Sequence, residues 1–204
     1  MSNARGWKPL FLVLVTCIPL SCASIPSNLV AVGSGAGIQM KTYFVAAPAG
    51  NGWKMQRDQT LDIVQFRRDP LTIVAVSPGY LRGTPDPTDD EDRIAAMIFE
   101  GEEKNVTDRG RSRSYAPSGI TKELLLVGGK RVHVMRYSIT QEGGSASREP
   151  LVMKYAMYIY LPANWNQSAI FYVFVIGAPQ KIGEITYDPK LGEIDPVIAS
   201  FQPK

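Results

Sequence analysis

The stretch Ala169-Ile-Phe-Tyr-Val-Phe-Val-Ile176 decides the fold, because its residues are apolar or aromatic at odd and even positions alike. A strand with this pattern is buried on both sides. Gly177 and Pro179 follow it directly and end it. We therefore expect this strand to lie at the centre of a sheet whose two faces are both covered.

The segments around this strand predict an antiparallel sheet. Residues 151–161 alternate, and one face of this predicted strand should belong to the core (Met153, Tyr155, Met157, Ile159, Leu161). Residues 122–127 and 130–139 are joined by Gly128-Gly129, the two-residue turn typical of a hairpin. Earlier runs with strand composition span residues 38–47, 53–56, 61–67 and 71–76. Together they predict a meander.

Two helices are predicted to pack on this sheet. Thr88-Asp-Asp-Glu91 has the spacing of a capping box, and apolar or small residues follow at helical spacing (Ile94, Met97, Ile98, Gly101). Asp195-Pro196 opens a short closing helix that ends near Phe201, because Asp is a good N-cap and Pro suits the first turn. The fold class is therefore α+β, an antiparallel sheet with helices packed on it.

Residues 104–119 are polar and without period, which predicts a long surface loop. Three arginines stand at alternate positions of this loop, Arg109, Arg111 and Arg113. Guanidinium groups in this arrangement can contact an anionic partner, such as phosphates or anionic lipid headgroups. A solvated connection carries the same charges, and both interpretations stay open.

The N-terminal segment has the pattern of an export signal. Arg5 and Lys8 precede an apolar run from Leu10 to Val15, which continues with small or apolar residues as far as Leu20. The run is much shorter than the roughly 20 apolar residues that cross a bilayer as a helix. Its basic start and small-residue end are typical of a signal peptide. We predict that residues 1–21 are removed from the mature protein.

Leu20-Ser21-Cys22 resembles the lipobox of bacterial lipoproteins. The resemblance implies a diacylglycerol on the thiol of Cys22 and attachment to a membrane through acyl chains. Pro19 stands where that pattern prefers Leu, and ordinary cleavage after Ala23 is the alternative. The residue after the cysteine is not the Asp that signals inner-membrane retention in enterobacterial lipoproteins. The resemblance therefore favours the outer membrane, facing the periplasm, in an organism that has one.

The remaining chain is predicted to contain a flexible tether and one domain. Residues 22–39 are rich in Ser, Gly and Ala and resemble a linker. Residues 40–204 have the length of a single globular domain. The sequence carries 22 basic and 19 acidic side chains, a near balance that excludes the strongly basic field of a nucleic-acid-binding protein.

The sequence lacks the residue sets of common catalytic and metal sites. Both cysteines, Cys17 and Cys22, belong to the predicted signal and anchor, which excludes a disulfide and thiol chemistry in the domain. The acidic residues between Asp86 and Asp92 do not have the spacing of a calcium loop. His133 is the only histidine, and no Gly-x-Ser-x-Gly motif accompanies it. We expect no metal, no cofactor and no enzymatic activity; a hydrolase that uses His133 is a minor alternative.

The order of these elements over residues 40–203 resembles the PsbP-like fold, an antiparallel sheet between helices. The features that carry the resemblance are the turn from Pro48 to Trp53, the helix from Thr88, the glycine hairpin and the ending Asp195–Phe201. This fold is shared by a photosystem subunit, a Ran-binding factor and several bacterial periplasmic lipoproteins. The resemblance implies a non-catalytic domain that binds or helps assemble a partner, here expected to be an envelope protein. A carrier of an apolar ligand between sheet and helix is the alternative.

Overall fold

The computed structural model describes residues 29–69, 72–81, 89–113, 115–141, 150–182, 185–186 and 193–204. In chain order its elements are β1 (Val30–Ala31), β2 (Gly37–Gln39), β3 (Tyr43–Ala46), β4 (Lys54–Asp58), β5 (Ile63–Arg67), β6 (Ile73–Tyr80), α1 (Glu91–Arg113), β7 (Tyr115–Val127), β8 (Lys130–Gln141), β9 (Leu151–Tyr160), α2 (Trp165–Ser168), β10 (Ile170–Pro179), β11 (Lys181–Ile182), β12 (Ile185–Thr186), α3 (Asp195–Ser200) and β13 (Gln202–Pro203).

An eight-stranded antiparallel sheet in the order β1-β4-β5-β6-β10-β9-β8-β7 forms the centre of the molecule. β10 lies between β6 and β9, so that Phe174 is opposite Val76 on one side and Tyr158 on the other. The prediction of a central strand is confirmed. The antiparallel sheet with helices packed on it also confirms the α+β fold class.

The first face of the sheet is closed by the C-terminal segment together with a small sheet of β13, β3 and β2. Phe201, directly after α3, is fully buried. Its ring centroid lies 5.4 Å from that of Tyr43, 4.7 Å from Tyr172, 5.1 Å from Phe174 and 5.8 Å from Tyr160. Aromatic rings at these separations contribute packing energy beyond their buried area. We call this face the C-terminal face.

The second face is covered by α1 and is called the α1 face. One stripe of α1 packs against apolar residues of β8, β9 and β10. The stripe consists of Ile94, Ala95, Ile98, Phe99 and Val106, and the sheet contributes Met135, Met157, Ile159 and Val173 among others. Trp165 of α2 belongs to the same apolar cluster. The two faces together explain why β10 is apolar on both sides.

β9 differs from its prediction on both faces. Met153, Met157, Ile159 and Leu161 are buried as expected, whereas Tyr155 is only partly buried. On the opposite face, which lies outside the predicted core face, Tyr158 is fully buried. The reason is that the C-terminal face is closed as completely as the α1 face.

The predicted tether is wrong in its C-terminal part. Within residues 29–39, β1 pairs with β4 and β2 pairs with β3. The glycine-rich run forms a turn, in which the Ala36 N–H donates to the carbonyl of Gly33 and Gly35 has φ +69°. Ile38 is buried in the C-terminal face. Glycine freedom here serves a turn, and residues 22–28 and the signal at 1–21 lie outside the described ranges.

The predicted strand from residue 38 to 47 is divided in two by a turn. The carboxylate of Asp62 accepts hydrogen bonds from the N–H groups of Lys41 at 2.7 Å and Thr42 at 3.0 Å, and from the Thr42 hydroxyl. Asp62 is buried and has φ +57°, a conformation that Asp tolerates better than most residues. This carboxylate therefore holds the turn between β2 and β3 against the turn before β5.

The predicted loop at residues 104–119 is also wrong, because α1 continues to Arg113. Val106 extends the buried stripe by two turns from Phe99, which keeps this polar segment on the sheet. The helix begins at Glu91, since Asp90 acts as its cap and accepts from the Arg93 N–H at 2.7 Å. Thr88, the predicted cap, lies outside the described ranges.

Candidate interaction surface

β7 is the last strand of the sheet, and it is 13 residues long. It pairs with β8 on one side, and no strand of the described ranges pairs with its other side. An edge strand of this kind presents free N–H and C=O groups that can accept another strand. The opposite edge of the sheet is β1, which has only two residues. The long open edge is therefore at β7.

Two leucines on β7 are exposed, Leu124 at 46% and Leu126 at 72%. They are two residues apart and share the α1 face, because Leu124 lies opposite His133 and Leu126 opposite Arg131. A single exposed leucine is common on a protein surface. Two neighbouring ones on an open edge make this edge a candidate interaction surface. We call Thr121–Val127 the β7 edge surface.

The charged residues beside these leucines are ion-paired within the chain. The pairs are Lys122 with Glu103 at 2.8 Å, Arg131 with Asp92 at 3.5 Å, and Glu123 with Arg136. The surface thus has an apolar centre with paired charges around it, and this arrangement is typical of protein–protein interfaces.

The β7 edge surface has defined ends. Before it, the pairing of β7 with β8 shifts between Ser118 and Thr121, and Gly119 has φ +63°. After it, Gly128 and Gly129 form the hairpin turn with φ +56° and +79°, which confirms the predicted hairpin. A Cβ on Gly128 would lie 2.5 Å from the Cβ of Ala199, so the hairpin tip packs closely on α3.

His133 lies on β8 and faces α1, while Val132 and Val134 face the other side. Its side chain is buried, and its Nε2 atom is 3.1 Å from Oε1 of Glu91 and 3.8 Å from Oδ1 of Asp92. Both acids belong to the first turn of α1. These contacts attach the start of α1 to the sheet, and none of them involves a hydroxyl or thiol that could act as a nucleophile.

Buried tyrosines near the C-terminal face have structural partners. The Tyr43 hydroxyl donates to the carbonyl of Val76 at 3.0 Å, and the Tyr172 hydroxyl donates to the carbonyl of Thr42 at 3.2 Å. Burial raises the pKa of both phenols above the ordinary value. Burial likewise raises the pKa of Tyr158 to about 12. These phenols therefore stay neutral near pH 7 and serve packing.

Three of the site residues predicted from sequence lie in one helix. Arg109, Arg111 and Arg113 lie in the last two turns of α1 and not in a loop, and positions 109 and 113 are about one helical turn apart. Cys22 lies outside the described ranges. Within those ranges, no group of three or more His, Cys, Asp or Glu is arranged to hold a metal, and no helix is long and apolar enough to cross a membrane.

Comparison with solved structures identifies the architecture. The chain is similar to the solution structure of cyanobacterial PsbP (CyanoP) from Synechocystis sp. PCC 6803, with a TM-score of 0.52 over 90% of this chain and 99% of that one. The fold is PsbP-like. The two sequences are 16% identical, so the likeness concerns the fold alone. No family model matches the chain, and no curated protein matches it.

The PsbP-like fold confirms the resemblance drawn from the sequence, but the β7 edge surface was missed. The available signal was Leu124-Leu125-Leu126, since three consecutive leucines in a strand must place at least one on each face. Leu125 packs on the C-terminal face, whereas its two neighbours are exposed. Finding the site also required knowing that β7 lies at the edge, which composition does not reveal.

Proposed function

We propose that this protein is a membrane-attached, non-catalytic accessory module of the cell envelope that binds a protein partner through the β7 edge surface. The observation that carries the proposal is the pair of exposed leucines, Leu124 and Leu126, on a long strand edge without a partner in the described ranges. The PsbP-like fold supports it, because the resemblance to this fold implies a non-catalytic domain that binds or helps assemble a partner. Fold likeness alone does not define an activity, so the surface carries the argument.

A non-catalytic role agrees with the surroundings of the only histidine. A histidine acting as a base needs a nucleophile within hydrogen-bond reach. The described contacts of His133 are with the carboxylates of Glu91 and Asp92, which also hold the first turn of α1. Among the described residues, no contact favours the hydrolase alternative, and no observation favours the carrier of an apolar ligand.

The attachment to the membrane rests on the lipobox-like residues that end at Cys22. Acyl chains on this thiol would hold the domain at the membrane surface, on the periplasmic side of the outer membrane where the organism has one. Mass spectrometry of the mature N-terminus tests this step. We expect an acylated Cys22 as the first residue and loss of the Cys22→Ala variant from the membrane fraction. An unmodified N-terminus that follows cleavage after Ala23 would contradict the anchor.

Arg109, Arg111 and Arg113 are a second proposed contact, with an anionic partner. Their place near the C-terminus of α1 also suits the helix dipole, which favours cations there. Replacing all three by Gln separates the two roles. A contact role predicts weaker retention by the partner with an unchanged unfolding midpoint, whereas a dipole role alone predicts a lower midpoint and unchanged retention.

The β7 edge surface is tested by crosslinking in intact membranes. A photo-crosslinking residue at position 126 should yield protein adducts, and the same residue at position 61 should yield few. Leu61 is a suitable control because its side chain is also exposed, at 45%, and lies away from β7 in the turn before β5. Equal adduct yields at the two positions would contradict a specific surface at β7.

A further inference from the structure

The β7 edge surface is a continuous paired segment with a single residue at its middle. Its seven residues pair with β8 without interruption, from Thr121 opposite Arg136 to Val127 opposite Lys130. The shift of register before Thr121 and the glycine turn after Val127 limit any added strand to this segment. The middle residue of the segment is Leu124.

We propose that the occupant of this edge is a second copy of the chain, whose β7 pairs antiparallel with the first about a two-fold axis at Leu124. The inference rests on the proposed function, since it names the partner of the same surface. In this register Leu124 lies opposite the partner's Leu124, and Lys122 lies opposite the partner's Leu126. Opposite residues of an antiparallel pair point to the same face, so the exposed leucines of both copies form one apolar strip.

Charge favours this register over its neighbours. An axis at Glu123 would set two carboxylates opposite each other, and an axis at Lys122 would do the same with two ammonium groups, which is unfavourable in a strand pair. An axis at Leu125 would place Lys122 opposite the partner's Gly128, where the hairpin tip packs on α3. With the axis at Leu124, the methylene stem of Lys122 can cover the partner's Leu126 while its ammonium stays on Glu103.

The same charges favour a second copy over a strongly charged partner. The charged side chains that flank the leucines are Lys122, Glu123 and Arg131, and each has an ion-pair partner within its own chain. The surface therefore lacks the excess charge that would attract a polyanion or a basic segment. A self-complementary surface fits a closed, isologous pair.

Membrane attachment makes this pairing effective at modest affinity. Two copies anchored to one membrane meet at a raised effective concentration, in the way that linked binding modules do. The edge contact then needs less intrinsic affinity than it would between freely diffusing molecules. The lipid anchor and the open edge thus complement each other.

The test uses the full chain, produced in one cell in two forms that carry different epitope tags, and examines the membranes of these cells. A photo-crosslinking residue at position 124 should give an adduct that carries both tags. The Leu124→Glu variant opposes two carboxylates at the axis and should weaken pairing about 5- to 30-fold, measured as energy transfer between labelled copies in lipid vesicles. Leu61→Glu, which alters a leucine of the same exposure, should leave pairing unchanged.

A second measurement does not depend on a variant. In the wild-type protein, amide hydrogen exchange at residues 121–127 should slow as the protein density in the vesicles rises. Exchange independent of density, or equal energy transfer for Leu124→Glu and wild type, would overturn the pairing. Adducts with another protein and none with both tags would also overturn it, while leaving the membrane-attached binding function intact. If the protein is absent from the membrane fraction and forms no adducts, the proposed function itself is rejected.

Discussion

The C-terminal face and the α1 face of the sheet are both covered, but by different means. The C-terminal face is closed by segments far apart in sequence, and Phe201 contacts four aromatic rings there. The α1 face is covered mainly by the narrow apolar stripe of α1, with Trp165 of α2 beside it. Polar contacts attach the first turn of that helix, including the contact of Glu91 with His133. The first face is held by interlocked packing of several segments and the second mainly by the docked helix α1.

This difference indicates where the molecule can change without losing its fold. The C-terminal face joins β3, α3 and β13 to the central strands, so a change there affects several elements together. The α1 face borders the open edge at β7, where Leu124 and Leu126 remain exposed. We therefore expect large stability effects on the C-terminal face, and small stability effects with larger binding effects beside α1.

The largest effect is expected from Phe201→Ala. The substitution removes a buried ring from the centre of an aromatic cluster and leaves a cavity, which should lower the free energy of unfolding by about 3–5 kcal/mol. Denaturant unfolding followed by tryptophan fluorescence measures this change. Phe201→Leu is the matched control and should cost less, because much of the volume remains. A loss below about 1 kcal/mol for Phe201→Ala would contradict the contrast between the faces.

Asp62→Ala should have the next largest effect. The carboxylate accepts two backbone hydrogen bonds and one from a hydroxyl, and the residue has φ +57°, so the change should cost about 2–4 kcal/mol. Asp62→Asn is the control, since Asn tolerates this conformation and keeps one acceptor oxygen. Thermal unfolding of both variants provides the comparison. Equal losses for Ala and Asn would show that the charge matters more than the backbone conformation.

Much of the fold followed from local patterns, and the exceptions have physical causes. The run from Ala169 to Ile176 and the Gly128-Gly129 turn were sufficient to place the central strand and the hairpin. The loop predicted at residues 104–113 is wrong because one buried residue, Val106, holds a polar segment in the helix. A single apolar residue gives no periodicity from which a helix could be predicted. The tether predicted at residues 33–37 is wrong because glycines occur in turns as well as in flexible linkers.

The candidate site was harder to predict than the fold because it depends on the order of strands in the sheet. Leu124 and Leu126 indicate a candidate interaction surface only when β7 is known to lie at the edge of the sheet. A strand with the same residues in the middle of the sheet would bury them. Strand order is a property of long-range pairing and not of the local residues, so the sequence alone offered three leucines without a location.

Tyr158→Phe sharpens the comparison through its pH dependence. Burial raises the pKa of Tyr158 to about 12, above the ordinary value near 10. For an acid whose folded pKa is raised, stability is fully present below pH 10 and is lost as the pH rises from 10 to 12. Wild type should lose about 1–3 kcal/mol more than Tyr158→Phe over this interval. Parallel stability curves for the two proteins between pH 9 and 12 would contradict a buried, neutral phenol.

The smallest effect is expected from the polar contact that attaches α1. Glu91 and His133 form one hydrogen bond at the partly exposed start of the helix, so their coupling should be about 0.5–1.5 kcal/mol. A double-mutant cycle with Glu91→Ala and His133→Ala isolates this coupling from the helix propensity and dipole effects of each change. Hydrogen exchange should then report faster local opening in residues 91–98 while the C-terminal face keeps its protection, because only a docked helix is released. A coupling above about 3 kcal/mol, or equal loss of protection on both faces, would mean that the two faces unfold as one unit and that α1 is as firmly integrated as Phe201.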